Sequence, residues 1–484
     1  MNNKLVSIDT AKVAWKVRAI MKTPAMKDGL PIFKDGRILK VTANHLEIVR
    51  MFFESLASFK QSGVEAKLLE QPVFTAYGSA RIGQNQQWYK KAYKITKAIA
   101  DKFGWAFIGG AGPGIMEATS KAAHDSGVSS FGVKIYMPGE QEINPFVDKD
   151  KIIVCRELIS RKYLLRKFAN LVLVYPGGFG TMDEIFEILA KKDRDLDDKA
   201  PVIFIGSKCW DDLEQIVKKH REQGTFKKPL EQLMVVMPSD PTSVVKFIES
   251  NLDGYLHMPS KKPIDVSVDN IDLIRNLRVM QKIDSKNMVT VIGGSNNAIS
   301  IPVADRASAI SLGEFLTTSG ISMIARSNQN IMPFLQLGYM NGLRKGAKDL
   351  EHVLLYNKEG GTDYSLYQGL TDSNIALSSR KLLHEKMVMC NNSNCGFVFF
   401  PGGMATHDVF FEAAVMMRIG LMKKVPIILF GDDVKWDMEL EFLKSHLVKT
   451  YGTIDAKDMD YIHRTSDMNK VKDILAKQKL LNEE

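Results

Sequence analysis

The stretch YPGGFGTMDEIFE, residues 175–187, places Gly177, Gly178, Gly180 and Thr181 after an apolar run, LVLVY, and before a segment of helical apolar spacing. A turn of that kind aims unpaired backbone N–H groups, helped by the helix dipole, at whatever lies beyond it. Glycine lets a phosphate come close to such a backbone. Glu184 would bring a carboxylate to the same place. A second glycine run, Gly109-Gly110-Ala111-Gly112-Pro113-Gly114, follows another apolar stretch, and Gly78-Ser79 closes a third. Strand ends of one parallel sheet meet at a single crevice. The expected phosphate-binding set is therefore Gly78, Ser79, Gly110, Gly112, Gly114, Gly177, Gly178, Gly180 and Thr181. Taken singly, each loop could be no more than a tight turn; the combination points to phosphate.

Glu184 has a structural reading as well, because Thr181-Met182-Asp183-Glu184 has the spacing of a capping box. A similar stretch, FPGGMATHDVFFE at 400–412, helps to decide. It keeps Thr406 as the cap but has Val409 in the place of Glu184, so this helix start tolerates loss of the acid. That copy also reads Ala325-Arg326-Ser327-Asn328-Gln329-Asn330 instead of the glycine run, while retaining Arg380-Lys381 and Gly402-Gly403. Chemistry is expected in the first copy and a fold-forming turn alone in the second. Glu117 reads as part of a solvated helix face, and the 24 methionines as core filler rather than ligands.

Short β-rich runs alternate with helical patterns through most of the chain. PVFTAYG, WAFIGG, SSFGVKIYMPG, LVLVYPGG and APVIFIG are separated by segments such as WYKKAYKITKAIADKFG and TMDEIFEILAKK. This alternation predicts βαβ units around a parallel sheet. The order then repeats: VTVIGGS matches VFTAYGS, and at the same offset Gly320 stands opposite Gly104. SSRKLLHEK mirrors ISRKYLLRK a few residues further on. The fold class is thus α/β, with two tandem Rossmann-like domains of parallel sheet flanked by helices. The expected divisions are a mostly helical extension at 1–70, a first domain at 71–252, a linker at 253–286 and a degenerate second domain at 287–484.

With 484 residues, 45% hydrophobic and 25% charged, the composition is that of a globular protein of more than one domain. No apolar run is long enough for a membrane span, and the first residues lack a secretory pattern. Four cysteines, of which Cys390 and Cys395 are near neighbours without a His cluster, suggest neither a disulfide framework nor a zinc site. A cytoplasmic protein is expected. The net charge of +9 leans towards anionic ligands, but Lys and Arg are interspersed with acids, so nucleic acid is not indicated. A dinucleotide is disfavoured too, since the strand after the glycine run ends in Tyr136-Met137-Pro138-Gly139 rather than in a ribose-binding acid. No Walker sequence is present.

YGSAR, GGAGPGIMEA, SRK and PGGFGTMDEIFE, in that order, resemble the LOG family, Rossmann-like proteins often mislabelled lysine decarboxylases. The resemblance covers roughly residues 71–250. It implies a phosphoribohydrolase that cuts the N-glycosidic bond of nucleoside 5′-monophosphates, giving a free base and ribose 5-phosphate, with no metal or organic cofactor. The family's catalytic Arg and Glu fall on Arg161 and Glu184. On residue type alone, Arg161 could equally be a surface residue in a basic helix start with Lys162, Arg166 and Lys167. The expected partner is the nucleotide, with no membrane. The two copies would form an internal pseudo-dimer in place of the homodimer usual in the family, with further self-association left open. The rival readings are a non-catalytic nucleotide sensor and a single-strand binder, the latter needing a basic groove with exposed aromatics.

Overall fold

A computed structural model of the chain describes residues 51–135 (except 53, 54 and 57), 142–193, 200–225, 228–251, 287–294, 301–326, 331–347, 352–357, 374–379, 382–431 and 434–483, together with a short antiparallel pair, Met26–Lys27 and Leu30–Pro31. Seven parallel strands form the first sheet. They are β1 Val73–Tyr77, β2 Ala106–Gly109, β3 Ser130–Ile135, β4 Ile152–Cys155, β5 Leu171–Val174, β6 Val202–Ile205 and β7 Val235–Met237, in the spatial order β4-β3-β2-β1-β5-β6-β7. VFTAY, AFIG, LVLV and VIFI are buried at every position, as central strands covered on both faces must be. The order reverses between β1 and β5, the point in an open α/β sheet where ligands bind beyond the carboxyl ends.

The second sheet repeats the scheme. Its strands are β8 Met288–Gly294, β9 Ser322–Arg326, β10 His352–Asn357, β11 Asn374–Ser379, β12 Gly396–Gly402, β13 Ile427–Phe430 and β14 Ile462–Thr465, ordered β11-β10-β9-β8-β12-β13-β14. The first helices of the two copies, α1 Gln87–Phe103 and a later Val303–Thr318, both run into a left-handed glycine, Gly104 at φ 65° and Gly320 at φ 69°. These are the two glycines that the sequence comparison sets opposite each other.

The first sheet's crevice is built by α2 Ile115–Asp125, α3 Leu158–Lys167 and α4 Phe179–Asp193. In the second copy, α5 Leu382–Asn392 and α6 Met404–Arg418 are the counterparts of α3 and α4. Helices α4 and α6 pack against each other, with the rings of Phe186 and Phe411 stacked at 4.8 Å. A single apolar cluster runs across the junction, joining Val172, Phe179 and Ile185 to Phe397, Phe399 and Phe410. Buried with it are two lysines and four carboxylates. Lys162 Nζ lies 2.7 Å from Asp183 and 3.3 Å from Glu187, and also donates to Glu412. Lys386 Nζ lies 2.8 Å from Asp408, 2.9 Å from Glu187 and 3.1 Å from Glu412. The two copies are therefore stitched by a shared core and a shared ion cluster.

Some expectations change. The sequence reading passed over β4 and did not mark β7 as a strand. Residues 1–70, expected to be mostly helical, include a two-residue antiparallel pairing of Met26–Lys27 with Leu30–Pro31. From residue 51 on, the extension is mostly helical where described, and Phe52, Leu56, Phe59, Val64 and Leu68 are buried in the shared apolar cluster. Residues 253–286, expected as a linker, and Arg380-Lys381 lie outside the described residues. Among the described residues no helix is long and apolar enough to cross a membrane.

Candidate active site

Beyond the ends of β1 and β5 lies a cleft with a cavity volume of about 240 Å³. Gly78, Ser79, Gly110, Gly178, Gly180 and Thr181 line it, together with Arg161 and Glu184. Most of the expected set is thus brought together. Gly112, Gly114 and Gly177 are not at the cleft wall, and close packing explains their lack of side chains. A Cβ at Gly114 would lie 2.4 Å from the carbonyl of Ser79, and one at Gly112 2.6 Å from Met116 Cε. At Gly177 a Cβ would fall 2.0 Å from Thr181 Oγ1. The N-terminus of α2 is turned to structural use as well: the Ile115 N–H donates to the Ser79 carbonyl at 3.0 Å. The first glycine loop reaches the cleft through Gly110, and the loop before α4 through Gly178 and Gly180.

Helix α4 begins at Phe179, so Thr181 lies inside its first turn and Glu184 in the next. The capping box is therefore not formed. The same holds for Thr406, since α6 begins at Met404 with Gly403 at the cap position. Glu184 projects from α4 with one side towards the cleft. Burial pushes its carboxyl up to about 7, against the pull of Arg161 and Lys162. A carboxylate so placed changes its ionisation near neutral pH, as a proton-transfer group should.

Arg161 reaches the cleft by lying along the glycine run. Its Nη2 donates to the Gly110 carbonyl at 3.3 Å, and a Cβ at Gly110 would sit 2.3 Å from that nitrogen. Its neighbour Lys162 points into the junction between the copies instead, because adjacent helical residues diverge by about 100°. Glu157 caps α3 by accepting from the N–H groups of Ile159 and Ser160 at 2.6 and 2.7 Å. Glu117, expected on a solvated face, accepts from Gln84 Nε2 at 2.6 Å and from the Tyr89 hydroxyl at 2.9 Å.

Asp183, Glu187 and Asp408 come close enough together to hold a metal ion. Two ammonium groups, of Lys162 and Lys386, already lie among them and offset part of their charge. Burial opposes the ionisation of Glu187, yet Lys191, Lys386 and Lys162 hold it well below the usual carboxylate range. Asp183 is pushed well above that range by burial and then by Glu412.

Several wall residues escaped the sequence reading. Arg81 belongs to the quoted YGSAR but was given no role; it lines the cleft and forms an ion pair with Asp455 at 2.7 Å. Val415, Arg418, Ile419 and Thr453 reach the same wall from the second copy. No local signal marks them, since their position depends on how the copies dock. In the second copy Val409 is fully buried where the first has Glu184. His407 stands where Met182 does and lies between the Gly403 carbonyl at 3.1 Å and Glu439 at 3.0 Å.

The family model described as "Possible lysine decarboxylase" matches residues 116–248 and again 367–475, together half of the chain. A cytokinin riboside 5′-monophosphate phosphoribohydrolase of Mycobacterium marinum is 28% identical over 144 residues, covering 29% of this chain and 76% of that protein. Its namesake in Oryza sativa subsp. japonica is 24% identical over 174 residues, 36% of this chain and 70% of that one. One from Arabidopsis thaliana is 20% identical over 191 residues, 40% and 89% of the two chains. Among solved structures, the molybdenum cofactor binding protein of Rippkaea orientalis aligns at 21% identity with a TM-score of 0.29, over 38% of this chain and 98% of that one. A likeness at that level says nothing about ligands.

Proposed function

The chain belongs to the LOG family, whose model bears the possible lysine decarboxylase description, and carries a second copy of it; from that membership we propose that the first copy hydrolyses the N-glycosidic bond of nucleoside 5′-monophosphates. One arrangement carries this reading. Helix α4 presents the glycine loop at its start and Glu184 one turn on, both on a cleft that Arg161 also lines. The phosphoribohydrolase names of relatives at 20–28% identity support it.

In this mechanism the 5′-phosphate binds at the N-terminus of α4, where helix N–H groups lack intrahelical partners. That anchor sets the ribose over Glu184. As the bond to the base lengthens, the sugar gains positive charge, which the ionised carboxylate stabilises. Glu184 then takes a proton from the water that attacks the anomeric carbon. Oxygen from that water joins the carbon, the bonding electrons leave with the base, and a proton returns to the base. Arg161 orients the nucleotide and offsets its charge.

Incubation of the full chain with a panel of nucleoside monophosphates, with free base followed by chromatography, tests the proposal. Release of base from at least one nucleotide is expected, at a rate far above that of the matching nucleoside, since each lost charge-assisted hydrogen bond costs roughly 1.5–3 kcal/mol. Nucleotide binding with no base released would favour a sensor; equal turnover of AMP and adenosine would refute the phosphate anchor.

A further inference from the structure

Helix α6 ends in Arg418, and that residue reaches across the junction into the cleft of the first copy. A Cβ added to Gly178 would lie 3.1 Å from Arg418 Nη1 and 2.6 Å from the Thr453 carbonyl. The guanidinium therefore sits against the glycine loop at the start of α4. Thr453 secures the arrangement by donating from Oγ1 to the Gly177 carbonyl at 3.0 Å. Resting on the hydrolase reading above, we propose that Arg418 holds the substrate's phosphate, so that the copy without its own acid completes the active site of the other.

Three further observations support this. Arg418 approaches Asp458 through Nε at 3.5 Å, a long contact that leaves Nη1 beside the loop. Burial, and then the nearby Arg81, hold the guanidinium below its ordinary range. Two cations sharing a partly desolvated wall are stabilised by a dianion placed between them. Finally, the charge is not symmetric. The equivalent last position of α4 is Asp193, so the basic residue is found only on the helix that faces the cleft with Glu184.

A plain structural role would make Arg418 a brace for Asp458, and the two roles can be separated. In the full-length protein, Arg418→Gln keeps hydrogen-bonding reach but removes the charge, Arg418→Lys keeps a charge, and Asp458→Asn removes the partner while leaving Arg418 in place. Calorimetry with ribose 5-phosphate, together with kcat and KM for AMP, gives the readout. The expected result for Arg418→Gln is a Kd for ribose 5-phosphate roughly 10- to 100-fold weaker, with KM for AMP raised in step. Lys should recover part of this, and Asp458→Asn should bind at least as well as the parent. The same Arg418-dependent binding in a protein that releases no base would refute the hydrolase reading and leave this one standing. Unchanged binding by Arg418→Gln, or equal loss in Asp458→Asn, would overturn the proposal.

Discussion

Glu184→Gln should make the protein inactive and more stable at the same time. A capping box would have required the opposite sign for stability, but α4 starts at Phe179 and there is no cap bond to lose. What the side chain does contribute is a partly buried charge. Its carboxyl titrates at about 7 instead of the ordinary 4.5, mainly because of burial. The folded protein thus binds this proton more tightly than the unfolded chain. The resulting stability is complete below the unfolded value and is lost as pH rises through about 7. At full effect the displacement is worth about 3 kcal/mol; since one side of Glu184 faces the cleft, about 1–3 kcal/mol is expected at about pH 8. Gln carries no such penalty. Urea unfolding of parent and variant, followed by tryptophan fluorescence, should show the variant more stable by that amount near pH 8 and equal to the parent near pH 4. Base release from AMP should fall roughly 100-fold or more in the same preparation. A variant less stable near pH 8, or a difference that does not change with pH, would refute the assigned environment of Glu184.

The same titration governs catalysis: kcat should rise through about pH 7 as Glu184 ionises, and a flat profile from about pH 5 to pH 8 would exclude it as the working carboxylate. Lys386→Met removes the ammonium that pairs with Asp408, Glu187 and Glu412, and should cost about 3–5 kcal/mol in urea unfolding; an unchanged midpoint would mean that the cluster has little weight. Val409→Glu places an acid in a fully buried apolar site and should lower stability by several kcal/mol, order ~2–5, without creating activity. Base release by the double variant Glu184→Gln, Val409→Glu would contradict that.

The alternation of strand and helix was legible because the central strands are continuous apolar runs, buried on both faces. The strands that escaped lack that signature. In β4, Val154 is 43% exposed, and every residue of β7 is half-buried. Glu184 and the loop before α4 could be singled out because glycine and acid stand close together in the chain, whereas Arg161 came only with the family resemblance. The capping-box reading went astray because the same four residues fit a helix that starts at Thr181 or two residues earlier. Lys162 stands out in the sequence only as one of several basic residues beside Arg161, yet it is 4% exposed. A charged residue gives no sign of burial until its partners are known, and one of them, Glu412, comes from the other copy. Arg418 and Thr453 were hidden for the same reason.

Joining the two copies in one polypeptide frees each face of the junction to change alone. In a pair of identical subunits every substitution is made twice, and a side chain that suits one cleft is also imposed on the other. Here the last position of one helix is Arg418 and that of its counterpart is Asp193. Covalent linkage also holds the two halves at a fixed, high effective concentration, so a cleft lined from both copies survives dilution that would separate free subunits. With Val409 in the place of Glu184, the second copy keeps the face that docks on the first without an acid of its own at that position.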